Sequence, residues 1–69
     1  MIYQFSRSGK PKYKVGIYRG FNNDEIFVDD LKSANRHFTE ARKREKDVVI
    51  SIRNLQSETI VRTVWLVSE

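Results

Sequence analysis

Only one stretch of this chain repeats its apolar residues at helical spacing. Leu31, Ala34, Phe38 and Ala41 follow one another at intervals of three and four, which makes a narrow stripe along one side of a helix. The other apolar segments alternate with a period of two, the signature of strands with one buried face. A single helix can cover only one face of a sheet, so a chain with this pattern has a sheet face that the helix leaves open.

The strands are read from that alternation and from turn residues. Residues 1–6 carry Ile2, Tyr3 and Phe5, and Ser8-Gly9-Lys10-Pro11 closes them as a turn. Residues 12–19 place Tyr13, Val15 and Ile17 on one face and Lys12, Lys14 and Tyr18 on the other. Gly20-Phe21-Asn22-Asn23 is the next turn, followed by a short strand over 24–28. Asp29-Asp30 opens the helix, because an aspartate there accepts unpaired backbone N–H bonds and complements the positive helix end. Arg42, Lys43, Arg44 and Lys46 close it, where cations suit the negative end. Residues 47–54 and 59–67 are β-branched strands joined across Leu55-Gln56-Ser57-Glu58. The expected fold is α+β. One domain over residues 1–69 builds a five-stranded antiparallel sheet in the order β-β-β-α-β-β, with one helix packed on one face.

Register follows from the same patterns. In the first hairpin, Ser6 opposes Lys12, Phe5 pairs with Tyr13 and Tyr3 with Val15. In the second, Ile17 opposes Ile26, Val15 opposes Val28, and Phe27 covers Gly16 on the outer side. In the last, a two-residue turn at Gln56-Ser57 sets Ile52 against Val61, Ile50 against Thr63 and Val48 against Trp65 on the core face. Arg53 against Ile60, Ser51 against Arg62 and Val49 against Val64 then face outward. A one-residue slip would carry Arg62 to the core face.

A chain of 69 residues buries only about 60% of its unfolded surface. With no cysteine and a single histidine, neither disulfides nor a zinc site reinforces it. Self-association is the remaining reinforcement. The absence of cysteine fits a reducing compartment. No signal-peptide core and no apolar run of membrane-spanning length is present, so a cytoplasmic location is expected.

The net charge of +4 favours acidic partners. The bases are unevenly placed: residues 1–19 carry five and no acid, whereas residues 20–30 carry four acids and no base. The primary expectation is a non-enzymatic protein that binds nucleic acid or a nucleoprotein complex through its basic first loop and its open sheet face. Arg7, Lys10, Lys12, Lys14, Arg53 and Arg62 are the candidate phosphate contacts, with Tyr18 as a base-stacking residue. Arg19 adds to the basic cluster. On the helix, Lys32, Arg36 and Lys43 fall opposite the apolar stripe with Glu40 among them, the pattern of a solvated face.

The same open face also carries aliphatic residues. Phe27, Val49, Ile60, Val64 and Leu66 would form a docking surface for a protein target or for a second copy, as a homodimer. That aliphatic content points to an inhibitor or regulator acting through this surface. In size and plan the chain is similar to the small anti-defence inhibitors that phages encode, though no motif carries that likeness.

Catalysis has little basis in these residues. His37 lies at the flank of the helix stripe and the three glycines are scattered, so neither a proton-transfer site nor a phosphate-cradling loop is legible. The acids Asp24, Glu25, Asp29 and Asp30 lack the spacing of a calcium loop and read as turn and cap residues. No metal or cofactor is expected.

Overall fold

The computed structural model describes residues 2–4 and 9–67. It has the expected element order: β1 (Ile2–Gln4), β2 (Tyr13–Tyr18), β3 (Asp24–Val28), α1 (Leu31–Arg44), β4 (Val48–Asn54) and β5 (Thr59–Leu66). The strands form one sheet in the spatial order β1-β3-β2-β4-β5. Three pairs are antiparallel, and β1 runs parallel to β3.

The position of the helix follows from this order. Both β3 and β4 lie antiparallel to β2, on either side of it, so the chain leaving β3 must cross over β2 to reach β4. The helix is that crossover. It packs mainly on β2, β3 and β4, and the long side chain of Arg62 ties β5 to it. Asp30 caps its start, accepting a 2.7 Å bond from the Ser33 N–H, and the Asp30 carboxyl is held below its usual pKa by that bond. Ala34, Phe38 and Ala41 meet Val15, Ile17, Ile26, Val28, Val48, Ile50 and Ile52 in the core. Two alanines let the helix approach closely, and Phe38 fills the middle.

Three registers depart from expectation. In the first, β1 does not form a hairpin with β2. Both edges of β2 are taken by β3 and β4, so β1 adds to the free edge of β3, with Tyr3 opposite Ile26 instead of Val15. The expected partners Phe5 and Ser6 lie outside the described residues. In the second, β2 and β3 pair two residues away from expectation, with Val15 opposite Ile26 and Ile17 opposite Asp24. Asn23 sets that turn by accepting from the N–H groups of Arg19 and Gly20 at 2.9 and 3.2 Å. A two-residue slip preserves the faces. It replaces Phe27 as the cover of Gly16, and Tyr18 of the same strand lies there instead.

The third departure changes faces. Asn54 organises the β4–β5 turn by accepting from Gln56 and Ser57 N–H, and Arg53 opposes Ile60 as expected. A bulge then intervenes, so Ile52 opposes Arg62, Ile50 opposes Val64 and Val48 opposes Leu66. Arg62, Val64 and Leu66 therefore lie on the helix side, and Thr63 and Trp65 lie on the outer side, the reverse of the expectation. The anticipated cost of a buried charge is avoided because β5 lies past the helix. Arg62 stays exposed, stacks its guanidinium 4.3 Å from the Phe38 ring centroid and donates to Asn35 Oδ1 at 3.3 Å.

Candidate binding face

Cross-strand pairing arranges the outer face in rows. One row runs Gln4, Phe27, Lys14, Arg53 and Ile60; the next runs Ile2, Glu25, Gly16, Ser51 and Thr63; a third runs Tyr18, Val49 and Trp65. The rows place Lys14 and Arg53, with Phe27, toward one end and Tyr18 and Trp65 toward the other. Lys12, exposed just before β2, extends the cationic end. Its N–H donates to the Val28 carbonyl and its own carbonyl accepts from Leu55 N–H, which ties the end of β2 to both neighbours.

At the centre, Gly16 has no side chain and the ring of Tyr18 lies over it. A Cβ at this position would run into that ring. The glycine therefore permits Tyr18 to lie flat along the sheet. Beside it, Lys14, Tyr18, Val49, Ser51, Arg53, Ile60 and Thr63 line a shallow depression of about 260 Å³. Trp65, the only tryptophan, is 74% exposed at one margin, and Ile60 is 67% exposed at the other.

The electrostatics of this face are uneven. Lys14 and Arg53 stand directly opposite one another on β2 and β4, and like charges so placed are destabilising. Glu25 relieves part of that by pairing with Lys14 at 3.0 Å, and this hydrogen bond raises the Lys14 pKa, with Tyr18 adding to it. Arg53 has no ion pair among the described residues.

Of the expected phosphate contacts, Lys12, Lys14 and Arg53 share the outer face with Tyr18. Lys10 is exposed in the turn that precedes them, Arg62 lies on the opposite side, and Arg7 lies outside the described residues. Arg19 is withdrawn from the surface cluster. Its guanidinium binds Glu45 at 2.8 Å and Asp24 at 3.0 Å, which raises its own pKa and lowers both of theirs. Of the expected docking residues, Phe27, Val49 and Ile60 are on the outer face, while Val64 and Leu66 pack against the edge of the core. The clustered acids have roles within the fold: Asp24 and Glu25 in ion pairs and Asp30 in the helix cap. Lys32, Arg36, Glu40 and Lys43 are exposed together on the helix, as expected.

Thr63 and Trp65 are the outer-face residues that sequence reasoning placed on the core face. No signal in β5 corrects this, because Ile60, Val64 and Leu66 form one apolar frame and Val61, Trp65 and Val67 form another of similar character. No family model matches the chain, and searches of curated proteins and of solved structures return no match either.

Proposed function

We propose that this is a binding protein that holds single-stranded nucleic acid against the outer face of its sheet. The observation that carries the reading is the opposition of Lys14 and Arg53 on the face that leaves Trp65 74% exposed. Glu25 offsets part of that repulsion through Lys14, and an anion bridging Lys14 and Arg53 would offset the rest. Lys12 lengthens that cationic track. Trp65 and Tyr18 offer flat rings beside it, with Phe27 in the row of Lys14. Bases stack on such rings while cations pair with the phosphates.

The test is an anisotropy titration with a labelled homopolymeric oligonucleotide, read in parallel through quenching of the single tryptophan. Affinity falls steeply as salt rises, and Arg53→Gln lowers the salt slope by about one. Absence of binding and of quenching at low salt would reject the reading.

One observation favours a second reading, in which the same face docks on a protein target as an inhibitor or regulator would. Ile2 and Ile60 are each 67% exposed and Phe27 and Val49 lie between them, an apolar content that phosphate binding does not require. Such a contact would be insensitive to salt. Replacing Ile60 with Asp would abolish it while leaving the fold intact.

A further inference from the structure

We infer that β5 pairs edge to edge with β5 of a second copy, about a two-fold axis at Val64, to make a symmetric dimer with one continuous sheet. This does not rest on the nucleic-acid reading.

The backbone of β5 supplies the first argument. Leu55 N–H donates to the Lys12 carbonyl, so odd-numbered residues of β4 turn their backbone groups toward β2 and even-numbered ones toward β5. Arg62, Val64 and Leu66, opposite the even-numbered residues, are thereby satisfied by β4. The N–H and C=O groups of Thr63 and Trp65 point to the free edge instead. No proline and no lysine protects this edge, and beyond the bulge five regular residues remain.

The second argument is complementarity. With Val64 opposite its own copy, Thr63 of one chain meets Trp65 of the other, and each such pair exchanges both backbone bonds. Arg62 is the only charged residue in β5, and this register sets it against Leu66 of the partner copy, so no like charges meet. Val64 and Leu66 are only partly buried because the helix does not reach them, and the same row of the second copy would extend their cover.

The third argument concerns closure. The other edge of the sheet is β1, three residues long. Joining β1 to β5 would propagate without end, whereas β5 to β5 consumes the long edge and stops. The shortage of stabilisation in a 69-residue chain without cysteine points the same way.

Light scattering and an interchain crosslink test the inference. The parent chain should run at twice the chain mass at high micromolar concentration. Thr63→Pro, which removes only an edge-facing N–H, and Thr63→Lys should each weaken the dimer by about tenfold to a hundredfold, since the axis repeats every substitution. Because the chain has no cysteine, Val64→Cys gives a clean crosslink. Non-bonded antiparallel partners lie about 4.5 Å apart at Cα, within disulfide reach. It should oxidise to a covalent dimer, and Ile60→Cys, away from the axis, should not. A monomeric parent chain would overturn the inference. So would equal crosslinking of the two cysteine variants, or dimers that survive both Thr63 substitutions with unchanged circular dichroism.

Discussion

The two strands of the last hairpin have similar sequences and different surroundings. In β4, Val48, Ile50 and Ile52 are 3%, 0% and 0% exposed. In β5, the residues opposite them are Leu66, Val64 and Arg62, and none of these is fully buried. Both segments alternate and both are rich in β-branched residues. They differ because the β3-to-β4 crossover must pass over β2. The helix is thereby centred on the three middle strands, and β5 lies at the margin of its footprint, touched through Arg62. Burial in this fold is set by where the crossover lies, and the hydrophobic pattern alone does not reveal it.

Substitutions in the two strands should separate this account from one in which the hairpin is a uniform unit. Ile50→Ala should cost about 2–5 kcal/mol, as a deletion beneath the helix that cannot be refilled. Val64→Ala, at the margin of the single chain, should cost about 1 kcal/mol or less when measured at concentrations low enough to keep the chain monomeric. Urea unfolding midpoints measure both, and similar costs would contradict the difference in cover.

Acid unfolding sharpens the same contrast. Arg19 ties the end of β2 to the start of β3 and to Glu45 at the end of the helix, all within the covered half. Its bonds hold Asp24 and Glu45 below their usual pKa values. A lowered folded-state pKa contributes stability above the unfolded value and loses it as pH falls through the folded value. Stability should therefore decline below about pH 4, and Arg19→Met should flatten that decline. Arg53→Gln, on the open face, should leave the acid limb unchanged.

The smallest effect on stability is expected at the most exposed aromatic residue. Trp65→Ala should shift unfolding by no more than about 0.5 kcal/mol. It should weaken oligonucleotide binding by about 1–3 kcal/mol, the usual value of one stacked base. A large loss of stability would instead mean that Trp65 packs within the fold.

Much of this was legible in the sequence. The helix stripe gave Ala34, Phe38 and Ala41 as core, while its first member, Leu31, is exposed. Asp30 as the cap follows from the residues that precede the stripe. Alternation gave the faces of β2, β3 and β4 correctly, even where the β2–β3 register slipped by two. What was not legible depends on competition between distant segments. Nothing in Ile2–Gln4 records that both edges of β2 are already occupied. The bulge beyond Arg53 depends on the Asn54 turn and on room for Arg62 beside Phe38, which exists only because the helix stops short of β5. Those two facts move Trp65 to the outer face and Val64 and Leu66 off it.

The most direct test of the central claim is amide chemical-shift mapping of the labelled protein during titration with a single-stranded oligonucleotide. Perturbations should concentrate at Lys14, Tyr18, Phe27, Arg53 and the Trp65 indole N–H, leaving the exposed helix residues Lys32, Arg36 and Lys43 in place. Shifts confined to the helix, or no shifts at low salt, would contradict it.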